Sequence, residues 1–545
     1  MALKTRMAIA IGLLFGLLFA GLMALFVLLA YFGFISGVWF YLIPLIFSVV
    51  VVLLQWALGP VIIRWIYKIE WVADIDQGLP TLAPFIKRTC AENNIPVPRV
   101  GIIRDGNPNA FVFGRTRKDA NLVITEGVFR YCNTEEQVAV VGHELGHIVH
   151  NDFVVMTVIS VIPLLFYSIY IGSRMAARAA SRSRGRNSGQ AAALALVVAL
   201  VSFVVYMLSQ LIVLLVSRYR EAWADEFSAH TTKRPSLLAS ALVKIAYGLT
   251  FENRGQGEGS KGMRRHSNAL MFASATGSRS LVAATMVGDG SSVDKAAVKR
   301  AMAWDIWNPW AKIMQLQSSH PLPATRIKAL GALSRQFGEE PYVEFDLVQP
   351  EHYIDDFLAN LAVKHSWWLL GGLTLFFGLF VMRAPVGLPL AVVIAALCGL
   401  LYLVLYHYPL RFKPSTVEEC LGFVKANPIK GKAVILEGHI IGRGTPGLFY
   451  SEDLKLQDST GLIFLDYNQV LRIINLFVGL FGTEQLMGRP VRVFGWYRRY
   501  GLPYIDVYKL QFAERTKTTY NLLVRVIFAV LVLVVGLAWL MLWLR

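Results

Sequence analysis

The chain has 545 residues, 55% of them hydrophobic and only 16% charged, with a mean hydropathy of +0.50. That balance excludes an ordinary soluble protein and fits a membrane protein with soluble parts, where a formal net charge of +17 reads first as cytoplasmic loops and not as nucleic-acid binding. Cys90, Cys132, Cys398 and Cys420 are scattered with no CxxC spacing, which argues against a cysteine metal site or a disulfide framework.

In chain order, residues 7–63 carry no charged side chain, enough for two crossings of about 20 residues each, broken near GFISGVW. A cleaved signal peptide has an apolar core of only about 7–15 residues, so these two are expected to stay as spans. Further crossings are expected at 153–172, 191–216, 366–382, 386–406 and about 522–544, seven in all. Lys4, Arg6, Arg64, Lys68, Lys364, Arg411, Lys413, Arg515 and Lys517 all fall on one side if the N-terminus is cytoplasmic. The loop SRMAARAASRSRGRN breaks this pattern: it has five arginines and no acid, yet simple alternation puts it outside.

Between the second and third spans, VPRVGIIRD, NAFVFG and NLVITEGVF have the β-branched and aromatic content of strands. NAFVFG reads as an edge strand able to offer backbone groups to an extended substrate. A helix is expected next, with Thr134 as N-cap and Gln137 as its capping-box partner. Residues 217–365 read as mainly helical, interrupted by the glycine-rich ENRGQGEGSKGMRRHSN, expected to be a mobile loop. In 415–515, five strand-like runs (KAVILEGHIIG, LFYSEDLKLQD, GLIFLDY, RPVRVFGWYRR and PYIDVYKLQF) surround one apolar helical run, VLRIINLFVGLFG, after the third. That is the order of an OB-type barrel.

The helix opened near Thr134 carries HELGH, residues 143–147. Residues four apart share a helix face, so His143 and His147 can both direct a ring nitrogen at one ion. Glu144 lies one position on, beside the metal, where it can take a proton from an activated water and hand it to the leaving amine. Two histidines leave a zinc site one protein ligand short. After the fourth span, SRYREAWADEFSAH offers Glu221, with Asp225 four later on the same face and able to accept the outer ring N–H of a ligating histidine. A solvated helix with ordinary acids fits these letters equally well.

NPNAF at 107–111, HELGH at 143–147, SRYREAWAD at 217–225 and HPLPATRI at 320–327 occur in the order seen in the HtpX heat-shock protease family, which shares its catalytic design with the CAAX prenyl proteases. The chain resembles that family over about residues 1–335. The resemblance implies His143, His147 and Glu221 as ligands of one Zn2+ per chain, Glu144 as catalytic base and Asp225 as a supporting partner. His320, in the last of these motifs, is a candidate to stabilise the tetrahedral oxyanion, with a histidine in a turn as the plain alternative. Arg218 is read as half of a structural ion pair, and His150 and His230 as ordinary polar residues.

The expected fold is a multi-span α-helical membrane protein with a zincin-like α+β metalloprotease domain (HExxH) and a C-terminal small all-β, OB-like domain between spans. The expected segments are two N-terminal transmembrane helices at 1–64, the HtpX-like domain at 65–335, a linker and transmembrane hairpin at 336–407, the β domain at 415–515 and a last span at 520–545. The expected function is that of a zinc endopeptidase of a cell membrane, acting from the cytoplasmic side on protein or peptide substrates in or beside the lipid bilayer, in membrane protein quality control. A prenyl-protein protease and a membrane-anchored binding protein with a structural zinc are the alternatives, and Glu144 argues against the second. Nucleic acid is set aside as a partner, because the aromatic and basic FGWYRRYGLPY also suits a strand at a membrane surface.

Overall fold

A computed structural model describes residues 3–31, 38–183, 188–251, 294–345, 349, 351–381, 386–443, 454–467, 486–500 and 502–544. Two long apolar helices, α1 (Leu3–Tyr31) and α2 (Val38–Ile66), come first. A small α/β unit follows: β1 (Glu70–Trp71), α3 (Ile75–Gly78), α4 (Ala83–Glu92), β2 (Arg99–Ile103), β3 (Ala110–Phe113), β4 (Asn121–Thr125) and α5 (Glu126–Tyr131). Its sheet has the order β1-β2-β4-β3, with β2 and β4 parallel and β3 antiparallel to β4 at the edge, as NAFVFG predicts.

The HELGH helix is α6 (Thr134–Val149). Its N-cap is Asn133, one residue before the expected Thr134: Asn133 accepts from the Glu136 N–H, and the Glu136 carboxylate accepts from the Asn133 N–H. Gln137 is buried and donates to the Cys132 carbonyl. Glu136 is held further by Ser240 and Lys244 of α9 (Pro235–Phe251).

Two very long helices follow, α7 (Asp152–Arg182) and α8 (Ser188–Thr232). The expected arginine-rich loop is therefore helix through Arg182, and the Glu221 segment continues the fourth expected span without a break. At about 1.5 Å per residue the 45 residues of α8 reach roughly 68 Å, about twice the ~30 Å hydrocarbon core, so much of it projects beyond the bilayer. α1, α7 and α8 share a core that includes Leu14, Ile162, Phe166, Val198 and Val216.

α10 (Lys295–Trp307), α11 (Pro309–Leu316) and α12 (Pro323–Gln336) close the front half. α13 (Ile354–Phe376), continued by a π-turn to Val381, pairs with α14 (Gly387–Leu401), continued likewise to His407. Gly378 lies against Gly387 where the two approach. Among the described residues six helical segments are long and apolar enough to cross a membrane: Thr5–Leu25, Leu42–Ile66, Asp152–Arg182, Ser188–Thr232, Gly387–His407 and Asn521–Leu544. The seventh expected crossing, 366–382, is not among them. Its helix begins among Asp355, Asp356 and Lys364, and its described part ends at Val381.

Beyond β5 (Lys413–Pro414) and α15 (Val417–Leu421), the five expected strands are β6 (Lys432–Arg443), β7 (Leu454–Gln457), β8 (Leu462–Asp466), β9 (Pro490–Tyr500) and β10 (Leu502–Gln511). They pair β6-β7-β8-β10-β9, and β9 returns to β6, so the sheet closes into a barrel, with β11 (Thr516–Thr518) extending β10 before the last helix, α16 (Asn521–Leu544). The barrel core is continuous with Ala301, Trp304 and Trp310 of α10 and α11. Trp496, Tyr497, Arg498 and Arg499 are each at most 1% exposed, so the WYRR core of FGWYRRYGLPY is interior and offers no stacking surface, while Tyr500 is 37% exposed. The glycine-rich stretch at 252–268 and the apolar helical run at 470–482 lie outside the described residues.

Candidate metal centre

The centre forms where α6 lies almost against α8. Gly142 and Gly146 sit on the shared face, and a Cβ on Gly146 would stand 3.1 Å from the Ala224 Cα, so a glycine lets the two helices approach this closely. Ser228 of α8 donates to the Ala139 carbonyl at 2.6 Å and ties the two helices. The contact sets His143 and His147 opposite Glu221, all three buried.

The three donor atoms converge. His143 Nε2 and His147 Nε2 are 3.2 Å apart, and the Glu221 carboxylate oxygens lie 3.7 and 3.6 Å from them. Two nitrogens each about 2.0–2.1 Å from one tetrahedral ion would stand about 3.3–3.4 Å apart, so the spacing fits a metal of that size. His143, His147 and Glu221 are a group able to hold a metal ion.

Each histidine is held from behind by a carboxylate that is itself held by an arginine. Asp225 Oδ1 lies 2.8 Å from His143 Nδ1, and Arg326 of α12 grips Asp225 with two bonds of 2.9 and 2.6 Å. Asp152 Oδ2 lies 2.6 Å from His147 Nδ1 and 3.1 Å from Arg220 Nε, and Arg220 also reaches Glu221 at 3.2 Å. Such partners fix the tautomer and the ring plane of a ligating histidine. Asp225 was legible in the sequence as i+4 from Glu221. Asp152 was not, because it lies past a left-handed residue, Asn151 (φ 58°), that turns the chain from α6 straight into α7.

Glu144 is 3% exposed and lines the same cavity, about 320 Å3, as the three candidate ligands. Burial pushes its carboxyl up to about 8, with His143 pulling the other way. Burial alone would lower His143, but its hydrogen bonds to Asp225 and Glu221 outweigh this and raise it to about 9. His147 falls below its ordinary value, chiefly through burial, with Glu221 opposing.

His320 lies at the cavity wall, its Nδ1 3.0 Å from Glu221 Oε2. Among the described residues Arg218 makes no ion pair there: its guanidinium donates to the carbonyls of Gln315, Leu316 and Ser318 and so shapes the turn that presents His320. His150 stacks on Trp223 with ring centroids 3.6 Å apart, away from the ligand set. The NPNAF loop is pinned by Thr125, which donates to the Asn107 carbonyl and accepts from the Asn109 N–H, each at 2.7 Å. This sets β3 along the cavity, with Ala110, Phe111 and Val112 in its wall.

Residues 80–334 match the family model of Peptidase family M48. A Protease HtpX homolog of Methanothermobacter thermautotrophicus is 34% identical over 263 residues, 48% of this chain and 92% of that relative. A Protease HtpX homolog of Picrophilus torridus is 28% identical over 330 residues, 60% of this chain and 95% of the relative. Among solved structures, S. mikatae Ste24p is 17% identical and covers 60% of this chain and 66% of its own at a TM-score of 0.33, too loose a likeness to argue from. With nearly the whole of a 34%-identical relative covered and the four motifs gathered around one cavity, the chain belongs to peptidase family M48, among the HtpX-type membrane metalloproteases.

Proposed function

We propose that the protein is a membrane-integral zinc endopeptidase in which His143, His147 and Glu221 hold the metal and Glu144 is the general base. The observation that carries this reading is the convergence of three buried donor atoms on one point beside a buried carboxylate that is not among them. A zinc ion held by His143, His147 and Glu221 would supply a hydroxide-like nucleophile at neutral pH and a Lewis acid for the scissile carbonyl. Glu144 accepts the proton of the attacking water on its carboxylate and returns it to the leaving amine. Asp225 and Asp152 hold the outer nitrogens of His143 and His147 in place. His320, kept in position by Glu221, donates to the oxyanion as charge develops. β3 aligns the substrate through the backbone of an edge strand.

The substrates are membrane proteins or segments leaving the bilayer, cut on the cytoplasmic side of a cell membrane, in the service of quality control. This is supported by the direct passage of α6 into α7 and by the lysines and arginines that flank the spans. We read 65–335 as the protease unit, 336–407 as linker and hairpin, and 415–515 as an OB-type barrel, five strands with a long connection after the third. The test is a comparison of wild type with Glu144→Gln. Purified wild type should contain one zinc per chain and cleave peptides, and the variant should keep the zinc and lose the cleavage. A zinc-loaded wild type that cleaves nothing would favour a structural site.

A further inference from the structure

A groove of about 430 Å3 adjoins the metal cavity and shares Val112, Phe153 and Met156 with it. Its other walls include Val52, Trp56 and Gly59 of α2 and Phe113 of β3. α2 and α7 are both candidate spans, so the groove lies where membrane helices meet the edge strand. α2 is tied there: Trp56 donates to the Arg115 carbonyl at 3.1 Å, and Arg115 donates to the Ala57 carbonyl at 3.1 and 2.7 Å. The volume falls in the range of ligand pockets, about 300–1,000 Å3.

The direction of β3 decides which part of a substrate meets this groove. Ala110, Phe111 and Val112 line the metal cavity, and Val112, Phe113 and Gly114 line the groove, so β3 runs from the metal towards the groove. A substrate strand added antiparallel to β3, the commoner and slightly more stable pairing, runs the other way. Its residues N-terminal to the cut then lie at the groove, within about three residues of the bond at ~3.4 Å per residue. On the reading of the site as a peptidase, we propose that this groove is a subsite for one large apolar side chain on the N-terminal side of the scissile bond, and that it selects segments emerging from the bilayer.

Gly59 gives the test. A Cβ built there meets nothing within 4 Å, so Gly59→Phe starts from open space, adds bulk at the groove wall and improves helix propensity. Gly12 of α1 is equally open and is absent from the groove walls, so Gly12→Phe adds the same bulk elsewhere. Full-length wild type, Gly59→Phe, Gly59→Ala and Gly12→Phe, in lipid nanodiscs, would be given a proteome-derived peptide library, with cut sites and rates read by mass spectrometry and zinc content measured. Wild type and Gly12→Phe should show Leu, Phe, Met or Ile enriched at one position within three residues N-terminal to the cut. Gly59→Phe should keep its zinc and cut peptides with Ala or Gly at that position, but cut those with large apolar residues at least about tenfold more slowly, the scale on which a filled pocket discriminates. Gly59→Ala should fall between. An unchanged profile in Gly59→Phe, as expected if lipid chains fill the groove, would overturn the proposal, as would an apolar preference confined to the C-terminal side of the cut. A zinc-loaded wild type that cuts no peptide would remove the peptidase reading itself and this subsite with it.

Discussion

Replacing Glu144 by Gln keeps the side chain's volume and hydrogen bonding and removes only its capacity to hold a proton. Zinc content should be unchanged and turnover should fall by about 10²–10⁴-fold, the usual contribution of a positioned base. Substantial activity in a zinc-loaded, contaminant-free preparation would remove Glu144 from the mechanism. Alanine at His147 or Glu221 takes away a donor atom and should strip the metal, as read by inductively coupled plasma analysis. Alanine at Asp225 or Asp152 only releases a histidine ring and should weaken zinc affinity by about 10–100-fold. Complete metal loss in the Asp225 variant of a folded protein would mean that this residue binds the ion itself. The pairing of Asp225 with Arg326 was not legible, since the two are 101 residues apart in the chain. Asp225 itself was visible because helical period relates it to Glu221, and Arg326 had no such relation to anything.

On the scale of elements, the close contact of α6 with α8 is the one on which the candidate ligand set depends. Gly146→Val places branched atoms where a Cβ alone already stands 3.1 Å from the Ala224 backbone, and α8 carries Glu221 and Asp225. Separation of the helices should therefore cost zinc affinity as well as thermal stability. Asn133→Ala removes a cap at the far end of α6, and its cost should be about 1 kcal/mol of stability with zinc retained. If Gly146→Val bound zinc like wild type, the helix spacing would not be what brings the ligands together. The cap was misplaced by one residue because Asn133–Glu136 and Thr134–Gln137 fit the same local pattern. Only the burial of Gln137 under α5 and the grip of α9 on Glu136 distinguish them.

For the molecule as a whole, the barrel and the protease unit are joined through buried charge. Arg499 is 0% exposed, 3.0 Å from Asp305 of α10, and donates also to the carbonyls of Ala301 and Leu421. Asp305→Ala leaves that guanidinium buried without its counter-ion, at a cost of about 3–5 kcal/mol, seen as a lowered melting temperature. Unchanged thermal stability would show that the barrel docks without this pair. Sidedness is tested with single cysteines at Ala179 and Ser459 in a cysteine-free background, labelled with an impermeant reagent on intact cells. With α7 and α8 both crossing, and α13 crossing with α14 as a hairpin, Ala179→Cys should label and Ser459→Cys should not. Labelling of Ser459→Cys from outside would reverse the orientation.

Much of this protein is determined by short-range pattern. Uncharged runs mark the spans because the bilayer excludes charge. Alternation marks the five barrel strands, and a four-residue period puts His143 with His147 and Glu221 with Asp225. What the tertiary structure alone decided is which of these local patterns meet. Closing β9 onto β6, seating Arg499 on Asp305, bringing Asp152 behind His147 and setting the groove beside β3 are all contacts between segments with no periodic relation in the chain. Local propensity carries no information about such contacts, because their free energy exists only once the packed interior has removed water from both partners.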